Sequence, residues 1–231
     1  MRCVNTFVIV YDCPYTGAVT IRTSLWQEFK QHVSTHQYTF FSTTYGTSHS
    51  QINTTLYPEG RGEVVPDFDE SSSLNTLGYS PVSFIKYCEM LAEMSRTGQL
   101  SQRPNKPFIV SVTGDETQVG ACLAHLMELQ NQPENTASGL ELLMEVNLSC
   151  PNIPDKAPPA YDRDALMRYI MVLAKTKQLH SNHKDVQVGI KTPPYTYHGQ
   201  FLAMIRCLED STKMVGGCPI SFVTATNTLG G

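Results

Sequence analysis

The chain has 231 residues, of which 41% are hydrophobic and 16% charged, and its formal net charge is −4. That length can bury a sizeable core, and the balance of residue types is globular rather than disordered. The negative charge and the lack of any basic run argue against a nucleic-acid partner, because phosphate binding needs clustered Lys and Arg.

No apolar run approaches the roughly 18 residues of a membrane span, so no membrane partner is expected. The apolar segment Phe7–Tyr11 is too short for the core of a signal peptide. Seven cysteines stand at positions 3, 13, 88, 122, 150, 207 and 218. The number is odd and no CxxC pair occurs, which predicts reduced thiols in a cytoplasmic protein. No second Cys or His lies at ligand spacing from Cys150, so no metal site is expected. Asn53-Thr54-Thr55 and Asn147-Leu148-Ser149 match the glycosylation pattern, but no secretion signal accompanies them.

In chain order, Met1–Tyr11 could form a strand through TFVIVY. Gly17–Thr23 is a better one, rich in β-branched residues. Leu25–Val33 can make a short helix. Ser34–Asp69 is polar, aromatic and without sustained period, and reads as a long excursion. Ser71–Pro81 reads as a turn of small residues. From Pro81 onward, Phe84, Ile85, Cys88, Leu91 and Met94 recur at helical spacing. Pro107–Val112 is an apolar strand. Thr113 and Glu116 match a capping box that opens a helix running to about Gln130. Leu140–Asn147 is a strand, Ala165–Lys177 a helix, Val186–Lys191 a strand, Phe201–Leu208 a helix and Ile220–Thr226 a strand.

Alternating strands and helices predict a parallel sheet with right-handed crossovers. A doubly wound sheet and a (β/α)8 barrel both fit that pattern. No GxGxxG follows a strand and no GxxxxGK[ST] occurs, which removes support from dinucleotide and P-loop readings. Polar residues end several different strands, which suits a barrel with one shared catalytic face.

The most informative stretch is Glu141–Asp162. Leu142–Val146 is short and apolar, as a strand buried on both faces should be. It stops in Asn147, Ser149, Cys150 and Asn152, and Pro151 and Pro154 keep a helix from starting there. Strand carboxyl ends are where α/β proteins place chemistry. A thiol has a free pKa of roughly 8.5, so a modestly activated Cys150 can act as a base near neutrality. Cys88, Cys122 and Cys207 read as small buried hydrophobes. Lys191 ends an apolar strand, and either snorkels to solvent or serves a site, since a lone buried ammonium is costly. Asn227 with Thr228, and Asn75 in SLNTLGYSP, are turn formers that a site could also use.

NLSCPN, with the proline-rich loop and AYD that follow, resembles the catalytic loop of the dihydroorotate dehydrogenases. It is most similar to the soluble, fumarate-type class 1 branch, whose base is a cysteine. VGIKTPP and TATNTLG resemble further motifs of that family in the same order. The resemblance implies FMN as cofactor, dihydroorotate as substrate, fumarate as electron acceptor, a place in de novo pyrimidine biosynthesis and a possible homodimer. It gives Cys150 and Lys191 the catalytic roles. Cys150 would take a proton from C5, and Lys191 would lie against the flavin ring. It gives substrate contacts to Arg22, Asn75, Thr76, Leu77, Gly78, Tyr79, Asn147, Asn152, Asn227 and Thr228, and flavin contacts to Arg22, Thr23, Asn147, Lys191 and Thr226. Arg22 stands where the family has a lysine. It keeps the charge and can grip a carboxylate bidentately.

The expected architecture is therefore an incomplete (β/α)8 TIM barrel forming one partial domain over residues 1–231. The resemblance finds no counterpart for the family's first strand. It places the last two strand–helix units, with their FMN phosphate site, beyond Gly231. The implied activity is oxidation of dihydroorotate to orotate. Two alternatives are a truncated, non-catalytic remnant that binds no FMN, and a flavin barrel that reduces uracil-like rings, as in dihydropyrimidine dehydrogenases.

Overall fold

The computed structural model describes residues 11–13, 15–32, 34–36, 38–41, 72–100, 106–149 and 158–227. The expected strand in Met1–Tyr11 lies almost wholly outside them, as does most of the Ser34–Asp69 excursion.

Five strands form one parallel sheet in the order β1 (Val19–Ser24), β4 (Phe108–Val112), β5 (Leu142–Asn147), β6 (Gln187–Lys191) and β7 (Phe222–Thr224). Two further strands, β2 (Tyr38–Phe41) and β3 (Ser72–Asn75), pair antiparallel within the excursion between β1 and the first helix. Helices α1 (Phe84–Arg96), α2 (Glu116–Gln130), the short α3 (Pro133–Ala137), α4 (Arg163–Leu179) and α5 (His198–Val215) alternate with the strands.

The order of the five strands never reverses. A doubly wound sheet reverses at its switch point and carries helices on both faces. Successive right-handed crossovers in one direction keep the helices on one face, as in a barrel. The helices pack in that same sequence, α1 on α2, α2 on α4 and α4 on α5. The described sheet is thus a run of five adjoining staves, an α/β fold of the incomplete-barrel kind.

Alternation along each strand separates two faces. Val110, Val112, Met144, Val146, Val188 and Ile190 are fully buried. They form the core with Leu123, Leu126, Leu166, Ile170 and Leu173 of the helices. The other face carries Ser111, Glu145, Gly189 and Phe222 in one row of paired residues, and Asn147, Lys191 and Thr224 in the next.

The helix starts show where local sequence was overruled. At α2 the capping box is Asp115 with Gln118, not Thr113 with Glu116. Thr113 is still tied to the sheet: its N–H donates to Ser24 O at 3.1 Å and its hydroxyl to Asn147 O at 3.1 Å. Gly114, at φ +155°, then turns the chain into the cap. The expected helix over Leu25–Val33 does not form in the described residues. Tertiary contacts claim that segment instead. Leu25 O accepts from Phe84 N, Trp26 stacks on Phe84, and Gln31 Nε2 donates to Leu77 O. Within Ser71–Pro81 the expected turn is partly strand, because Tyr38–Phe41 supplies an antiparallel partner.

The amino end of the sheet is closed by a buried lysine. Lys106 Nζ donates to Tyr11 O, Cys13 O and Thr16 Oγ1 at 2.7, 3.0 and 2.7 Å. It also lies 5.5 Å from the Tyr11 ring centroid, and that ring stacks on Phe108 at 4.9 Å. Three oxygens and an aromatic face offset the cost of burying the ammonium.

On the opposite face Gly189 lies under Phe222. A Cβ at residue 189 would come 2.1 Å from the Phe222 ring. Gly189→Ala is therefore expected to push the ring off its seat and lower the urea midpoint, at a cost of about 1–3 kcal/mol. An unchanged midpoint would show that the ring is free to move.

Candidate active site

The carboxyl ends of the strands hold one connected set of polar groups. Strand β5 delivers two of them, Glu145 and Asn147, both buried. Ser111 of β4 donates to Glu145 Oε1 at 2.8 Å, and Thr224 of β7 donates to Oε2 at 2.6 Å. The hydroxyls of Ser111 and Thr23 are 2.8 Å apart. Asn147 Nδ2 donates to Thr23 Oγ1 at 3.1 Å. The amide oxygen of Asn147 accepts from the Ser149 N–H at 3.2 Å and from its hydroxyl at 2.6 Å. Asn227 Nδ2 donates to Ser149 O at 3.3 Å.

Sequence reasoning missed Glu145. The signal was present: a carboxylate inside the apolar run LLMEVN has the same burial cost that singled out Lys191.

Lys191 ends β6, paired with Asn147 on one side and Thr224 on the other. It is half-buried, and among the described residues its ammonium makes no hydrogen bond or ion pair. A cation left in that state at a strand end suits an electron-rich ligand edge. This is the observation on which an FMN ring fits the site, with Thr23 and Asn147 in the same cluster. Thr226 follows β7 and is exposed. Asn227 is held at the rim by its N–H, which donates to Thr192 O at 2.9 Å.

The expected substrate loop lies over the end of β1. Arg22 Nη2 donates to Leu77 O at 3.0 Å and to Gly78 O at 3.1 Å. Gln31 Nε2 donates to Leu77 O and Tyr79 O at 2.9 and 3.4 Å, and Ser80 N donates to Thr23 O at 2.8 Å. Gly78 has φ +63°, and a Cβ there would sit 3.0 Å from the Phe29 ring, so this position needs glycine. Thr76 Oγ1 donates to Thr35 O at 2.6 Å. Asn75 ends β3 opposite Tyr38. At least one arm of Arg22 therefore works as a clamp on backbone carbonyls, a use its spacing in the sequence did not suggest.

Cys150, Asn152 and Thr228 lie outside the described residues. Of the other cysteines, Cys88, Cys122 and Cys207 are buried. Burial pushes the Cys122 thiol up to about 12 and the Cys207 thiol to about 11, and raises Cys88 further still. Thiols held protonated are poor nucleophiles. They act as core residues, as the sequence suggested.

Polar side chains gathered at the carboxyl ends of sequentially ordered parallel strands define a barrel-type α/β protein with its chemistry on that face. The relatives are more specific. A Lachancea kluyveri dihydroorotate dehydrogenase (fumarate) is 25% identical over 227 residues, 98% of this chain and 62% of that protein. A Streptococcus pyogenes protein provisionally named dihydroorotate dehydrogenase A (fumarate) is 30% identical over 162 residues, 68% of this chain and 42% of that one. A Trypanosoma cruzi dihydroorotate dehydrogenase (fumarate) is 26% identical over 161 residues, with the same coverage of 68% and 42%. The chain is a homologue of the fumarate-type dihydroorotate dehydrogenases and spans roughly half the length of these relatives, between 42% and 62%. No family model matches it.

Two outcomes follow from this geometry. Arg22→Leu removes both clamping bonds, so hydrogen exchange at the Ser80 amide is expected to rise by at least about tenfold, for a loss of roughly 1–3 kcal/mol. Unchanged exchange would mean that Gln31 alone holds the loop. Under native conditions a thiol reagent is expected to modify the exposed Cys218 well before Cys88, Cys122 or Cys207, read by peptide mass; early modification of Cys122 would contradict its burial.

Proposed function

We propose that the chain carries a dihydroorotate-oxidising site of the fumarate type, with FMN as its cofactor. The observation that carries this reading is that Thr23, Asn147, Lys191 and Asn227 stand at the carboxyl ends of strands of one parallel sheet. Each stands at a position where the sequence resembles the family's motifs. The homology to proteins named dihydroorotate dehydrogenase (fumarate) supports it.

Thr23, Asn147 and Lys191 would hold the FMN ring, which would supply a two-electron acceptor for the hydride from C6 of dihydroorotate, with fumarate as the final acceptor. The residues of the chain do the rest. Lys191 supplies a fixed positive charge in a half-buried setting, where a preorganised charge counts for more than in water. Asn147 offers an amide donor to a flat polar ring, Asn152 and Asn227 add further amide groups, and Thr228 adds a hydroxyl. Arg22 and Gln31 hold the backbone of Leu77–Tyr79, the loop that follows Asn75 and Thr76. Cys150, as thiolate, removes the proton from C5 and completes the C5–C6 double bond of orotate.

The test is the visible spectrum of the purified chain after FMN is added, before and after dihydroorotate. A bound flavin band that bleaches on adding dihydroorotate is the expected result. Cys150→Ser should keep the band and slow the bleaching at least about 100-fold. A chain that takes up no FMN, or a Cys150→Ser variant that bleaches at the normal rate, would overturn the reading. The first of these results would leave a homologue without catalysis.

A further inference from the structure

We infer that Glu145 is a positioning residue: its buried carboxylate ends a one-way chain of hydrogen bonds that aims the Asn147 amide at an acceptor atom of the ligand. This rests on the site proposed above and adds to it a residue with no assigned role.

The direction of the chain follows from counting protons. The Ser149 backbone N–H can only donate, and it donates to the side chain of Asn147. The oxygen of that amide must therefore face Ser149, and the nitrogen must face Thr23. Thr23 thus receives a proton from Asn147 Nδ2. A hydroxyl has one proton to give, so Thr23 gives its own to Ser111, its neighbour at 2.8 Å. Ser111 in turn gives its proton to Glu145 Oε1. Read from the other end the result is the same, since a carboxylate oxygen accepts and does not donate. Both ends agree on one arrangement.

Glu145 is only 4% exposed, and its second oxygen is taken by Thr224. A buried carboxylate so placed stabilises the order of everything linked to it, because each buried hydroxyl left without an acceptor costs free energy. The order reaches three of the proposed contact residues. Thr23 and Asn147 are in the chain itself. Asn227 joins it through the Ser149 carbonyl, and Ser149 directly precedes Cys150.

The consequence for recognition is specific. One proton of the Asn147 amide is committed to Thr23, and its oxygen already accepts from Ser149 twice. Among the described residues nothing takes the second amide proton. Asn147 is thereby set to read an acceptor, such as a ring carbonyl oxygen, and not a donor.

The experiment compares Glu145→Gln, Glu145→Leu and Ser111→Ala in the full chain, with two readouts. The first is hydrogen exchange of the Asn147 side-chain amide, followed by NMR. The second is orotate affinity of the FMN-loaded chain, followed by the flavin spectrum. Glutamine can turn its oxygen to Ser111, so Glu145→Gln is expected to stay within about threefold of the native chain in both readouts. Leucine cannot accept, so Glu145→Leu should speed amide exchange and weaken orotate at least tenfold. Ser111→Ala breaks the chain with Glu145 intact and should behave as Glu145→Leu does, which covers a leucine variant that fails to fold. A folded Glu145→Leu or Ser111→Ala variant with native amide exchange would overturn the inference. Native chain that binds no orotate would overturn the proposed function instead, and the amide readout would still decide the role of Glu145.

Discussion

The site depends on one constraint, the level register of parallel strands around β5. Val112, Val146, Ile190 and Val223 pair directly across four strands. With that row fixed by the packing of its buried members under the helices, the residues one step further on must also come level. Asn147, Lys191 and Thr224 therefore meet at one height. A slip of one residue in any strand would exchange its two faces and send these groups into the apolar core. Register here is specified by hydrophobic burial, and the chemistry takes its alignment from it.

The two faces of the sheet carry different loads. The helix side is apolar and, in β4, β5 and β6, buried, and accounts for most of the stability of the fold. The other side buries a carboxylate, an amide and several hydroxyls, each costly unless satisfied. They are satisfied by one another, across β1, β4, β5 and β7. Such a network contributes little net stability, but it allows few arrangements, and rigidity is what a site that orients a flat ligand requires.

Much of this was legible in the sequence. The strand–helix alternation from residue 81 onward could be read from apolar periodicity, because helix and strand spacing differ and each element buries one side. The carboxyl-end residues Asn147 and Lys191 could be read because polar groups interrupt apolar strands there, whereas Asn227 read as a turn former and was singled out only by the resemblance. The links among Thr23, Ser111, Glu145 and Thr224 could not. They join residues scattered over some 200 positions, and no local pattern reports a cross-strand hydroxyl. The clamp by Arg22 on Leu77 and Gly78 was hidden for the same reason, the partners being 55 and 56 positions apart. The cap at Asp115 was displaced from Thr113 because a strand end held the earlier candidate. The segment after Leu25 lost its helix to tertiary contacts that propensity does not see.

The oxygen cage around Lys106 has a consequence for how the chain is made. Tyr11 and Lys106 are 95 residues apart, and β1 has no neighbour in the parallel sheet until β4 has been synthesised. At roughly 5–20 residues per second, the opening segment waits about 5–20 s on the ribosome for the lysine that anchors it. Through that interval β1 has no partner in the parallel sheet among the described residues, and an unpaired strand edge is open to wrong partners. The intervening excursion thus sets a delay in vectorial folding before the Tyr11–Lys106 contact can close.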